Sequence, residues 1–272
     1  MLAAAATVVL SLAGALAAAA PATAAHADPT IHPGVMTFTN GGQCTANFIF
    51  TSGADTFIGQ AAHCSGDGGG ATATNGCDAP SLPLGTPVEI DGATQPGKLA
   101  YSSWITMQAN GEADDNTCQY NDFALVKIAE ADESRVDPNI PVLGGPQGIN
   151  TDGTAAGENV YSYGNSSLRL GISQLSPKEG ISLGTNGGGW NHPVYTVTPG
   201  VPGDSGSAFL DDSGQALGVL VTLAIAPLAG SNGVTDLNLA LNYANSEGGA
   251  GVSLVQGGAF SGQGAIVRGL LG

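Results

Sequence analysis

Short apolar segments alternate along this chain with glycine-rich turns, and this alternation constrains the fold more than any other feature of the sequence. The 272 residues include 43 glycines and 15 prolines, and few stretches have the spacing of an amphipathic helix. Glycine reaches the positive φ angles that tight turns need, and short strands joined by such turns build antiparallel sheets. An apolar content of 42% excludes a disordered polyanion. We therefore expect an all-β protein.

The apolar runs of the first half predict a series of strands, followed by a connector. The strands are predicted at 35–38, 44–50, 56–64, 87–92, 97–108 and 123–128, with a loop at 65–80. The Pro and Gly residues of 139–148 indicate a connector between two β units. We therefore place one unit at 28–145 and a second at 146–272.

The second half repeats this pattern and adds one helix. Strands are predicted at 158–164, 167–177 and 193–200, and two more flank a hairpin turn at 211–215. A helix is predicted to begin near Asp236, which would cap it. Its buried face would carry Leu237, Ala240, Leu241 and Ala244.

The net charge of −16 reflects a scarcity of basic residues, since six Lys and Arg stand against 22 Asp and Glu. Such a surface repels nucleic acids and anionic membranes, so neither is expected as a partner. The charge is typical of an acidic exported protein, and it also permits attraction of cationic substrates.

The N-terminal segment is uncharged, apolar and rich in alanine, and it ends in Ala25-His26-Ala27. This pattern predicts a signal peptide over residues 1–27 and secretion of the chain that begins at Asp28. A membrane anchor is the alternative, but no basic flank follows the apolar run. We expect an extracellular protein with no membrane association after cleavage.

The four cysteines are Cys44, Cys64, Cys77 and Cys118. An even number in an exported chain predicts two disulfides, and spacing alone does not choose among the three pairings. No C-x-x-C or H-x-x-x-H spacing occurs, so we predict no metal site, and nothing indicates a cofactor.

Ser205 lies in the sequence G-D-S-G-S and is a candidate nucleophile. A second D-S-G, around Ser213, lies between two apolar runs and is interpreted as the hairpin turn. A serine hydroxyl becomes an effective nucleophile only beside a base, usually a histidine that an aspartate orients. The candidate therefore depends on finding a histidine and an aspartate of that kind.

His63 is the strongest candidate for the base among four histidines. His26 belongs to the predicted signal peptide, His32 to the N-terminal tail, and His192 to a predicted solvated loop. His63 ends a predicted strand, after two alanines and before Cys64, whose disulfide would hold it. Asp122 is the candidate acid, because it opens the apolar strand 123–128 and its burial requires a partner.

The segments AAHC, NDFALVKI and GDSGSAF, in this order, resemble the chymotrypsin-type serine proteases. The segment from Gly41 to Cys64 is similar to the secreted actinobacterial branch, the streptogrisin-like exoproteases. The order His, Asp, Ser excludes an α/β-hydrolase, in which serine comes first and lies in G-x-S-x-G.

The resemblance implies two antiparallel Greek-key β-barrels with the active site between them. His63 and Asp122 would come from the first barrel and Ser205 from the second. The backbone N–H groups of Gly203 and Ser205 would form the oxyanion hole. The resemblance also implies the pairing of the four cysteines, as Cys44–Cys64 and Cys77–Cys118.

The sequence departs from the family near the specificity pocket. No cysteine lies shortly before Gly203, no acid precedes it as in trypsin-like enzymes, and Val221, Thr222 and Leu223 replace the usual S-W-G. Preference for Arg or Lys is therefore not supported, and we expect a small or apolar residue at P1. The sequence does not identify the partner of Asp204.

These observations together predict a secreted serine endopeptidase that acts on peptides or proteins as a monomer and forms an acyl-enzyme. Two alternatives remain at this point. One is a catalytically impaired relative that binds peptides or proteins, and the other is an esterase-like hydrolase on the same fold.

Overall fold

The computed structural model describes residues 30–67, 75–223 and 229–271. The predicted signal peptide, 1–27, lies outside the described residues. The strands are β1 (Met36–Thr39), β2 (Gly42–Thr45), β3 (Ile49–Ser52), β4 (Asp55–Gln60), β5 (Pro87–Ile90), β6 (Gly97–Ser102), β7 (Ala124–Lys127), β8 (Ala156–Tyr163), β9 (Pro177–Leu183), β10 (Asn191–Thr196), β11 (Ala208–Leu210), β12 (Ala216–Leu223), β13 (Asn232–Asp236) and β14 (Ser253–Leu254). The helices are α1 (Ser103–Asn110), α2 (Asp115–Tyr120), α3 (Leu237–Ser246) and α4 (Ala265–Leu271).

Two antiparallel sheets make up the architecture, and the predicted all-β fold is confirmed. The first sheet has eight strands in the order β14-β3-β4-β7-β6-β5-β1-β2. The second is a closed barrel in the order β10-β13-β12-β11-β8-β9. Among the described residues, no helix is both long and apolar enough to cross a membrane.

Each sheet buries a cluster of its own, and a third cluster contains residues of both sheets. In the first sheet, Ile58 pairs with Ile49 on one side and Val126 on the other, and all three are buried. In the barrel, Val234 lies opposite Leu220 and packs with it in a separate cluster. Burial of aliphatic side chains on this scale is the main favourable contribution to folding.

The C-terminal segment returns to the first sheet. Strand β14 pairs with β3, with Leu254 opposite Phe50. Helix α3 follows β13 of the barrel and also contacts α1. The predicted boundary between 145 and 146 stays a prediction, but strand pairing joins residues on either side of it.

The predicted helix is present as α3. Asp236 is its N-cap, and its carboxylate accepts a hydrogen bond of 2.7 Å from the N–H of Leu239. Its buried residues are Leu237, Ala240, Leu241 and Ala244. The local signals were sufficient here because cap and apolar spacing indicated the same start.

Several strand predictions need correction. The run 56–64 is strand only to Gln60 and continues as a 3₁₀ helix, Ala62–Ser65. The run 97–108 is strand only to Ser102 and continues as α1, which buries Trp104 and Met107 at helical spacing. The run 44–50 is interrupted between β2 and β3, where the side-chain amide of Asn47 donates to the carbonyl of Gly206. The run 167–177 forms short 3₁₀ turns before β9, with Leu170 at a φ of 53° that no strand adopts.

Candidate active site

His63 follows strand β4 and lies at the boundary between the two sheets. His63 lies in a short 3₁₀ helix, Ala62–Ser65, directly after β4, and the Cys44–Cys64 disulfide ties that helix to β2. The second disulfide, Cys77–Cys118, ties the loop before β5 to α2. The adjacent disulfide and the surrounding buried residues restrict the imidazole, which is 8% exposed.

Asp122 binds His63 through both carboxylate oxygens. Oδ1 accepts the backbone N–H of His63 at 2.8 Å, and Oδ2 lies 2.6 Å from Nδ1 of the ring. Asp122 lies two residues before β7, which pairs with β4, so sheet pairing brings the two residues together. A carboxylate on Nδ1 favours the tautomer with its proton there, which leaves Nε2 able to accept a proton.

Ser205 lines the same cavity as His63 and Asp122. This cavity has a volume of about 270 Å³ and lies between the segment 200–205 and strand β12. Ser205 is partly exposed, and its carbonyl accepts a hydrogen bond of 2.8 Å from the N–H of Thr45 in β2. The structure therefore brings the three predicted side chains to one cavity.

Ser213, in the second D-S-G, lies in the hairpin between β11 and β12. Its N–H and its hydroxyl both donate to Oδ1 of Asp211, at 2.9 and 2.8 Å. Gly214 takes a φ of 80° in the same turn. These bonds account for the D-S-G sequence by turn geometry alone.

The backbone around Gly203 is fixed by contacts from outside its own loop. Gly203 has a φ of 96°, and its carbonyl accepts the hydroxyl of Thr45 at 2.8 Å. The preceding carbonyl, of Pro202, accepts the hydroxyl of Ser166 at 2.5 Å. Because a peptide unit is planar and trans, this bond also orients the N–H of Gly203 in the opposite direction. Among the hydrogen bonds of the described residues, none uses the N–H of Gly203 or of Ser205.

Asp204 has two cationic partners, which the sequence did not identify. Arg169 binds both carboxylate oxygens, and Nζ of Lys178 lies 3.0 Å from Oδ2. Burial alone would raise the pKa of Asp204, but the two cations outweigh burial and lower it. A simple count could have narrowed the search, because the chain has only six basic residues, Lys98, Lys127, Arg135, Arg169, Lys178 and Arg268.

His192 is not the solvated loop residue that its neighbours suggested. It lies in β10 and is fully buried, with Nε2 2.9 Å from Oδ2 of Asp236 and Nδ1 3.0 Å from the hydroxyl of Thr185. The alternation of His192, Val194 and Thr196 on the buried face was the available signal. These contacts give His192 a structural role at the start of α3.

The side chains next to His63 do not form a metal site. Cys44, His63 and Cys64 place ligand-type atoms within 4.8 Å of one another. The two sulfur atoms are bonded to each other, so neither is available as a thiolate ligand.

Comparison with known proteins identifies the fold. No family model and no curated protein matches the sequence. Among solved structures, Thermobifida fusca Protease A matches with a TM-score of 0.51 and 18% identity, over 84% of this chain and 99% of that one. The chain has the chymotrypsin fold.

Two further structures of this fold match equally well. A serine protease specific for glutamic acid has a TM-score of 0.51 and 19% identity, over 83% of this chain and 100% of that one. A Glu endopeptidase has a TM-score of 0.51 and 17% identity, over 79% of this chain and 91% of that one. The predicted resemblance to chymotrypsin-type serine proteases is thus confirmed at the level of the fold.

Proposed function

We propose that this protein is a secreted serine endopeptidase. The observation that carries the proposal is the hydrogen-bonded pair His63–Asp122 in the same cavity as Ser205, on the chymotrypsin fold. The two disulfides are consistent with an oxidising, extracellular location. Nothing in this mechanism requires a metal or a cofactor.

In the proposed reaction, Oγ of Ser205 attacks the scissile carbonyl carbon while its proton passes to Nε2 of His63. Asp122 stabilises the resulting imidazolium, and the N–H groups of Gly203 and Ser205 stabilise the oxyanion. His63 then gives the proton to the leaving amine as the C–N bond breaks, which leaves an acyl-enzyme. Water, deprotonated by His63, releases the acid and restores Ser205.

The walls of the cavity favour a small, neutral P1 residue. The side chain of Asn232 connects the two walls of the cavity, the segment at Gly200 and strand β12. Its Oδ1 accepts the N–H of Gly200 at 2.8 Å, and its Nδ2 donates to the carbonyl of Thr222 at 3.0 Å. A Cβ added to Gly200 would lie 2.6 Å from the side chain of Leu220. Apart from His63 and Asp122, the described residues that line the cavity carry no charged side chain. We therefore propose substrates with small uncharged P1 side chains.

Two assays test the proposal together on the mature chain, residues 28–272. A fluorophosphonate probe, mapped by mass spectrometry, is expected to label Ser205. A peptide panel that varies only P1 is expected to be cleaved faster at Ala or Val than at Arg, Glu or Phe. Matched ester substrates are included. Ester turnover without peptide cleavage would indicate the esterase-like hydrolase, and neither label nor turnover would indicate a peptide-binding relative.

The pH dependence of cleavage tests the proposed base. Burial disfavours the imidazolium, but the Asp122 carboxylate outweighs this effect, so the pKa of His63 is raised above 6.5. Because the neutral ring must accept a proton, kcat/KM is expected to fall as the pH falls through that raised pKa. Asp122→Asn should lower this pKa and reduce kcat by roughly 10⁴-fold. Full activity near pH 4 would contradict a histidine base.

A further inference from the structure

Lys178 of β9 is a fully buried cation that the proposed reaction does not use. Its side chain is 0% exposed. Nζ lies 3.0 Å from Oδ2 of Asp204 and donates to the carbonyls of Thr198 and Pro199 at 3.2 and 3.4 Å. These three acceptors match the three N–H bonds of an ammonium group.

The charges around Lys178 do not balance. Arg169 alone would neutralise Asp204, because its guanidinium contacts both carboxylate oxygens. Lys178 adds a second cation, so the cluster carries one surplus positive charge in a nearly closed environment. Burial of a surplus charge costs free energy, and an apolar side chain of similar size would avoid that cost. A structural role alone therefore does not account for a lysine here.

Among the described residues, no carboxylate other than Asp204 forms an ion pair with the cluster. Strand β8 presents Ser162 opposite Lys178. The neighbouring Glu179 accepts the N–H of Gly264, which precedes α4. Arg268 of α4 binds the backbone carbonyls of residues 142, 261 and 263.

The three acceptors of Lys178 lie at both ends of one loop, residues 198–204. This loop carries Gly203, and its last residue, Asp204, directly precedes Ser205. The N–H groups of Gly203 and Ser205 are the proposed oxyanion donors. Displacement of either end by a fraction of an ångström would weaken both donors.

We propose that Lys178 is a positioning residue, whose ammonium fixes the loop 198–204 and adds a surplus positive charge at the carboxylate of Asp204, the residue between the two proposed oxyanion donors. This inference rests on the proposed protease function. The charged form of Lys178 is the active one, because the neutral amine loses one donor and the surplus charge disappears. A buried positive charge acts on a developing oxyanion more strongly than an exposed one, since water does not screen it.

The inference predicts an alkaline limit to activity. Burial lowers the pKa of Lys178 to about 8, although Asp204 acts in the opposite direction. The ammonium therefore loses its proton where an exposed lysine keeps it. Activity should be highest between the pKa of His63 and that of Lys178, and should fall as the pH rises through the pKa of Lys178.

The test measures kcat, KM and the rate of fluorophosphonate labelling from about pH 6 to about pH 10, on disulfide-intact full-length mature protein. Lys178→Met should lower kcat roughly ten- to a hundredfold with little change in KM. Its pH profile should also lack the alkaline limb, the fall in activity at high pH. Lys178→Arg should retain kcat within about threefold and move the alkaline limb upward, because arginine stays charged. Lys98→Met, at an exposed lysine of β6, is the matched control and should behave as wild type.

Each outcome separates the two proposals. If wild-type protein is labelled at Ser205 and Lys178→Met keeps both its kcat and its alkaline limb, the role of Lys178 is wrong and the protease function stands. If Lys178→Met raises KM and lowers thermal stability but keeps the wild-type kcat, the lysine is structural and the inference is overturned. If wild-type protein neither labels nor cleaves, the protease function is wrong and the inference falls with it.

Discussion

Ser205→Ala is expected to reduce peptide cleavage by roughly 10⁴- to 10⁶-fold while leaving substrate binding nearly unchanged. The substitution removes Oγ, the atom that would form the covalent bond, so the acyl-enzyme can no longer form. Residual turnover would come from the oxyanion donors and from substrate orientation. Single-turnover kinetics with the best peptide of the P1 panel, followed by kcat and KM, would measure the loss.

The chain contains its own control for this substitution. Ser213→Ala changes the other D-S-G, and its hydroxyl binds only Asp211 within the hairpin. We expect Ser213→Ala to retain wild-type kcat and to lose at most about 1 kcal/mol of stability, the usual value of one hydrogen bond. Equal activity of Ser205→Ala and wild type would exclude Ser205 as the nucleophile.

Asp204→Ala is expected to reduce the free energy of unfolding by about 3–5 kcal/mol. It leaves Arg169 and Lys178 buried beside each other with no anion between them. It also removes the acceptor that binds the N–H of Val201 at 3.0 Å, so the loop 198–204 loses one of its anchors. Urea unfolding followed by tryptophan fluorescence would measure the change.

Asp212→Ala is the matched control, since Asp212 is exposed in the hairpin and should change stability by no more than about 0.5 kcal/mol. The double variant Asp204→Ala with Lys178→Met should be more stable than Asp204→Ala alone, because only one unpaired cation remains. If Asp204→Ala unfolds at the same urea concentration as Asp212→Ala, the charge cluster does not contribute to stability.

Local sequence signals were sufficient wherever one element carries the whole pattern. The cap at Asp236 and the apolar face of α3 identified that helix, its start and its buried residues. The composition of 211–215 identified the hairpin and removed Ser213 from consideration. Period-two alternation located most strands, since a strand with one buried face needs that alternation.

Local signals failed where partners lie far apart in the sequence. Residues 97–108 have an apolar pattern that suits both a strand and a helix, and packing of Trp104 and Met107 decided in favour of α1. His192 was assigned to a loop because Trp190 and Pro193 flank it, yet strand pairing with Val234 buries it in the barrel. In each case the deciding contact came from another element.

The sequence by itself determined the all-β class, the hairpin that sets Ser213 aside and the identity of His63, Asp122 and Ser205 as candidates. Residue type and short-range pattern are sufficient for such features. Only the tertiary structure decided that Arg169 and Lys178 are the partners of Asp204, at 35 and 26 residues from it in the chain. The physical reason is that a buried carboxylate requires a cation but does not specify where in the chain the cation lies, and only the folded barrel brings β9 and the 3₁₀ turn at Arg169 against the loop before Ser205.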